Sequence, residues 1–112
     1  MEIVLFRART RADIDAQEYE NTFGQMLELV SEVPGFHRIT GYAGEDGTEL
    51  AVVEFESPET LAAWRDHAAH VRVQQRGREE FFAEYDITVA TVSRQYNWSL
   101  TQALGETGTS AA

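Results

Sequence analysis

The spacing of apolar residues changes along the chain in an order that predicts a fold. Ile3 to Ala8 is a nearly continuous apolar run, interrupted only by Arg7 and followed by Arg9. It is short and rich in β-branched and aromatic side chains, which predicts a strand buried on both faces. From Ala16 the period becomes helical: Ala16, Tyr19, Phe23, Met26 and Val30 share a stripe, and Glu18, Glu20, Glu28 and Glu32 fall mostly elsewhere. Asp13 and Asp15 offer N-caps, and Asp15 with Glu18 three residues on approximates a capping box. Val33-Pro34-Gly35 stops this helix, because proline disfavours helical geometry at the residue before it.

Phe36 to Ala43 predicts a second strand, the acidic, glycine-bearing stretch Gly44 to Thr48 a hairpin turn, and Glu49 to Glu56 a third strand. Ser57-Pro58-Glu59 is a helix start: a serine cap, proline at the first helical position and an acid in the first turn. Leu61, Trp64, Ala68 and Val71 mark the buried stripe of that second helix. A further helical piece follows through Gly77, Phe81 and Tyr85, then a fourth strand over Ile87 to Tyr96. Asn97 to Ala112 ends Gly-Glu-Thr-Gly-Thr-Ser-Ala-Ala and reads as a frayed, flexible tail.

The order strand, helix, strand, strand, helix, strand defines an α+β, ferredoxin-like β-α-β-β-α-β domain over residues 1–96, with a tail over 97–112. Its sheet is four-stranded and antiparallel, with both helices on one face. The strands are nonetheless apolar on both faces: Val4 and Phe6 as well as Ile3 and Leu5, and Ala51, Val53 and Phe55 as well as Leu50 and Val52. An apolar sheet face without helices needs a partner, and the simplest is a second copy, giving a homodimer through the sheet.

Composition narrows the function classes. With 112 residues, 43% hydrophobic and 25% charged, one globular domain is expected. Nineteen acidic against nine basic residues leave a net charge of −10, which repels nucleic-acid backbones and anionic membranes. Arg65, Arg72, Arg76 and Arg78 read as a solvated helix face paired with Glu79, Glu80 and Glu84. The absence of cysteine excludes disulfides, thiolate metal sites and cysteine nucleophiles. The apolar run at the N-terminus is too short for a secretion signal or a membrane span, so a cytoplasmic location is expected.

Few residues suggest chemistry. Trp64, in the middle of a buried stripe, reads either as core packing or as the wall of a flat pocket between helix and sheet. On a continuous helix of 100° per residue, His67 falls roughly 80° from the centre of the stripe and His70 roughly 140°, toward solvent. His67 at a pocket edge has the right chemistry for a general base. A metal shared by the two histidines lacks a third ligand nearby, so no metal is expected. Arg7 interrupts an apolar strand, which places it at a rim, beside an acid, or lining a cavity where it would stabilise an anion. Tyr42 lies on the second strand, on one face with Arg38 and Thr40.

Several stretches together resemble the antibiotic biosynthesis monooxygenase (ABM) domain over about residues 2–96: Val33-Pro34-Gly35-Phe36, Val53 to Glu59, Trp64 with His67 and His70, Gln75 to Glu79, and Phe82 with Tyr85. The resemblance implies a ferredoxin-like dimer whose two sheets form a joint α/β barrel. It also implies either an oxygenase acting on aromatic phenols without metal or flavin or a haem-binding or haem-degrading protein; the rival reading, from another class, is a non-catalytic dimeric ligand-binding or stress-response domain. The first strand lacks the asparagine common in similar catalytic members; Arg7 stands near its place. Val73 and Gln74 occupy the positions of the haem ligand, which argues against haem. The reading that follows is a cofactor-independent monooxygenase for a flat aromatic or phenolic molecule, with His67 as base, Arg7 and Tyr42 stabilising the anion, and Trp64 stacking on it.

Overall fold

Antiparallel pairing brings the apolar runs into one sheet. The computed structural model describes residues 1–105, in the order β1 (Glu2–Thr10), α1 (Ala16–Ser31), β2 (Phe36–Ala43), β3 (Glu49–Phe55), α2 (Pro58–Arg65), α3 (Ala68–Arg76), a wide π-type turn (Gly77–Phe81), β4 (Phe82–Thr91) and α4 (Leu100–Gly105). The strand order β2-β3-β1-β4, with helical crossovers after β1 and β3, is the ferredoxin-like topology. Among the described residues no helix is long and apolar enough to cross a membrane.

Local chemistry sets the element ends. Asp15 caps α1, its carboxylate accepting from the Glu18 amide at 3.1 Å. Ser57 caps α2 in a reciprocal box with Thr60, and Pro58 opens the helix. Gly35, after Pro34, has φ +89°, and a Cβ there would run into the Thr60 side chain. The stop of α1 and the start of α2 are therefore packed against each other. Gly47, at φ +85°, closes the β2–β3 hairpin, and the Gly44 amide donates to the Thr48 carbonyl at 2.8 Å.

Strand register assigns the two faces of the sheet. Val4 pairs with Val53 and Val89, and Val4 and Val53 pack on the core of Val30, Phe55 and Trp64. Side chains alternate along a strand, so this helix side also receives Phe6, Ala51, Ile39, Ile87 and Tyr85. The opposite side receives Ile3, Leu5, Leu50 and Val52, half-buried, with the buried Glu54 carboxylate paired to Arg38. The expected second apolar face is thus present, opposite the side on which α1 and α2 pack.

Four boundaries differ from the sequence reading. The second helix is two helices, broken at Asp66–His67. The break resets the helical phase, so Ala68 and Val71 are exposed and His70 turns inward. Phe23, expected on the buried stripe of α1, is also exposed, because the row that faces the sheet runs through Thr22, Met26, Leu29 and Val30. The helical piece ends at Phe81, and β4 begins at Phe82 and ends at Thr91, five residues earlier at each end than read. Pairing with the whole length of β1, and the stacking of Tyr85 on Phe6 at 5.4 Å, override the helical spacing of Gly77, Phe81 and Tyr85. Finally, Leu100–Gly105 is helical where fraying was expected, and residues 106–112 of that tail lie outside the described residues.

Candidate functional site

Trp64 closes α2 from below. It is 6% exposed and packs with Val30 and Phe55, as its place on the apolar stripe requires. Immediately after it the chain leaves helical geometry: His67 is extended, at φ −63° and ψ 128°, and becomes the N-cap of α3. Its Nδ1 accepts from the Ala69 amide at 3.1 Å. The imidazole read as a base is thus an exposed helix cap with one ring nitrogen engaged.

The same break delivers His70. Its ring stacks on the Trp64 indole, centroids 4.5 Å apart and planes 29° from parallel. His70 Nδ1 is buried and has no hydrogen-bond partner. Burial pushes the His70 pKa below the ordinary imidazole value; the Arg65 and Trp64 backbone carbonyls oppose this in part, without an ordinary hydrogen bond to Nδ1, and His67 adds to it. With Nδ1 enclosed beside these carbonyls, only Nε2 of this neutral imidazole could accept a proton from a ligand. Sequence reasoning missed His70 because it assumed an unbroken helix; Asp66, a poor helix former ahead of a histidine able to cap, was the available signal.

On the helix side of the sheet the floor continues past Val4 into β4. There the helix layer stops short, leaving Ile87 45% and Val89 53% exposed. Ile87 and Val89 thus form an open apolar strip on the helix side of β4 rather than the floor of a closed cavity.

Arg7 and Tyr42 lie elsewhere. Tyr42 pairs with Leu50, Leu50 with Arg7, and Arg7 with Asp86, so all four share the face opposite the helices. Arg7 lines a shallow depression of about 200 Å³ with Tyr85 and Asp86, below the 300–1,000 Å³ typical of ligand pockets. The sheet therefore separates Arg7 and Tyr42 from Trp64 and His67, and one protomer does not bring the four together. A second depression, between α1 and α3, holds Arg76, whose guanidinium is already paired with Glu18 and Glu80. Among the described residues no three His, Asp or Glu side chains are grouped to hold a metal ion.

Comparison with known proteins agrees with this architecture. The family model for antibiotic biosynthesis monooxygenase matches residues 1–76. The protein YqjZ of Bacillus subtilis is 30% identical over 77 residues, 69% of this chain and 68% of its own length. Among solved structures, SnoaB, a cofactor-independent oxygenase from Streptomyces nogalater, superposes with a TM-score of 0.69 at 12% identity, covering 84% of this chain and 94% of its own. Rv0793 from Mycobacterium tuberculosis superposes with a TM-score of 0.72 at 18% identity, covering 86% and 98%. With a family model spanning well over half of its length, the chain belongs to the antibiotic biosynthesis monooxygenase family.

Proposed function

We propose that the protein is a homodimeric, cofactor-independent monooxygenase acting on a flat, electron-rich aromatic such as an anthrone or quinol. The observation that carries this reading is the unpartnered, desolvated imidazole of His70 stacked on Trp64. A substrate ring lying on the exposed apolar strip of β4 would present its acidic C–H or O–H to Nε2, the ring nitrogen that is not enclosed. Family membership and the fold shared with SnoaB support the reaction class.

The chemistry balances without a redox group. His70 takes a proton from the anthrone methylene, leaving a resonance-stabilised carbanion. The carbanion reduces dioxygen and bonds to it, and the imidazolium returns the proton to give a hydroperoxide. Loss of water leaves the ketone: one CH2 and one O2 become one C=O and one H2O. The base role assigned to His67 from sequence passes to His70, because His67 Nδ1 is spent on the cap. Arg7 and Tyr42, across the sheet, take no part within one protomer.

The test is oxygen uptake by the purified protein with anthrone or a dihydroxynaphthalene, with product followed by its quinone absorbance. His70→Phe keeps the stack and removes the base, and should lower turnover by about 10²–10⁴-fold; His67→Ala, which keeps the base and loses only the cap, should lower it far less. Binding of the aromatic without oxygen uptake would instead identify a ligand-binding domain. Equal activity in wild type and His70→Phe would overturn the assignment of the base.

A further inference from the structure

Among the described residues two carboxylates are buried in the sheet, each 5% exposed, and their surroundings differ. Glu54 lies on the face opposite the helices, where the Arg38 guanidinium pairs with it. Glu2 lies on the helix side with Val4, in register with Phe55 on one neighbouring strand and Thr91 on the other. Among the described residues its partner is a neutral hydroxyl, Thr91 Oγ1, which donates to Oε1 at 2.7 Å, and no cation is paired with it. A carboxylate offers about four lone-pair sites, so most of this acceptor is unused. Oε2 has no protein donor among the described residues, yet it is not sealed in: His70 Nδ1 is the buried side-chain polar atom left without a partner there. A buried acid with neither a cation nor a full set of donors is costly. Glu2 is therefore a fixed acceptor with room for a donor from outside the chain.

The surface beside Glu2 gives the chemistry of that donor. Thr91, Val89 and Ile87 follow one another on the helix side of β4, all exposed, with Val4 opposite Val89 and Phe6 opposite Ile87. Beyond them Tyr85 stacks on Phe6, ring centroids 5.4 Å apart. The strip is thus apolar along its length, with an aromatic pair at one end and a carboxylate at the other. Side chains on one face of a strand repeat at roughly 7 Å. A ring resting on Val89 would bring a substituent on its near edge to the Glu2–Thr91 pair and leave its far edge over Ile87. The carboxylate repels an anionic substituent and favours a donor; an aromatic hydroxyl is such a donor on a flat apolar body.

We infer that Glu2 is a specificity-determining residue: its free oxygen accepts from the hydroxyl of a hydroxylated aromatic lying on Val89, with Thr91 orienting the carboxylate. This deepens the oxygenase reading and rests on the ring's proposed place on β4. Glu2 has no part in the proton transfer assigned to His70; it selects which aromatics enter and which way round they lie.

The test measures binding without oxygen, so that affinity is separated from turnover. The probes are 1,5-dihydroxynaphthalene and its dimethyl ether, which keeps the rings and loses the donors, each titrated calorimetrically into the full chain at neutral pH. Wild type should prefer the dihydroxy probe by about 10–100-fold, the worth of a hydrogen bond to a charged group. Glu2→Gln, the same shape with a neutral oxygen, should lose most of that preference and Glu2→Leu all of it, while affinity for the ether holds. If Glu2→Leu fails to fold, Glu2→Gln decides alone. Equal affinity of wild type for both probes, or a preference that survives the substitutions, would overturn the inference and make Glu2 architecture only; undiminished oxygen uptake would then leave the oxygenase reading standing. Tighter binding of a naphthylmethylammonium cation than of the dihydroxy probe would overturn the hydroxyl assignment. A Glu2-dependent preference without oxygen uptake would support this site while overturning the oxygenase reading. Binding of neither probe would overturn the inference together with the ring's place on β4.

Discussion

His70 couples the candidate site to stability through its proton. Its pKa in the folded protein lies below the unfolded value, because the charged form loses its hydration. The unfolded chain therefore binds the proton first as pH falls, and stability that is complete above the ordinary histidine pKa of about 6.5 declines below it. His70→Phe should flatten this part of the pH profile, read as melting temperature between neutrality and mild acid; an unchanged slope would show that His70 is not the desolvated group. Trp64 gives a complementary prediction. Packed against Val30 and Phe55, it should cost about 3–5 kcal/mol on truncation to alanine, measured by urea unfolding. A loss near 1 kcal/mol would mean that its indole borders an open, wetted space instead.

The break between α2 and α3 is the element that makes the site. His67 holds it by accepting from the Ala69 amide, so His67→Ala should cost on the order of 1 kcal/mol, the usual worth of a helix cap. The continuous helix read from sequence had no such cap and assigned His67 almost no structural role. If the break also sets the phase of α3, His67→Ala should loosen His70 from Trp64, seen as a shift in the His70 imidazole resonances. The Gly35 bend makes an independent prediction about the α1–β2 corner: Gly35→Ala should destabilise the fold by more than about 1 kcal/mol, since φ +89° and the Thr60 side chain both oppose a Cβ. Thr60→Ala in the same chain should relieve only the steric part.

At the scale of the molecule, shape and charge make opposite demands. The face opposite the helices and the 93–105 segment are apolar, while each chain carries a net charge of −10. Two such chains repel at long range, so the proposed dimer should tighten when salt is raised from 10 to 150 mM, where the screening length falls from about 30 Å to 8 Å. Sedimentation at matched protein concentrations reads this directly. Haemin should give no sharp Soret band, because Val73 and Gln74, the positions at which the resemblance implies a haem ligand, cannot bind iron. A one-to-one complex lost in His70→Phe would reverse that expectation and assign the inward-facing imidazole to iron.

Local chemistry in the sequence determined the caps at Asp15 and Ser57, the stop at Pro34-Gly35, the hairpin at Gly47 and the alternation that gives the sheet two apolar faces. Each depends on one residue's own backbone preference or on neighbours a few positions away. Together they order the elements, and that order defines the ferredoxin-like fold and was enough to suggest the family. The candidate site was not legible in the same way. Trp64 could be read because burial follows apolar period, but His70 depends on where a helix breaks, a choice made by a cap and by packing on Val30 and Phe55. Arg7 and Tyr42 show the same limit across the sheet. Parity within one strand says which residues share a face, but only the register between strands, fixed by the pairing of Val4 with Val53, decides which face meets the helices. Long-range pairing likewise moved β4 to Phe82–Thr91 and left residues 93–105 outside the sheet, so that side chains read as strand and tail became an exposed apolar segment.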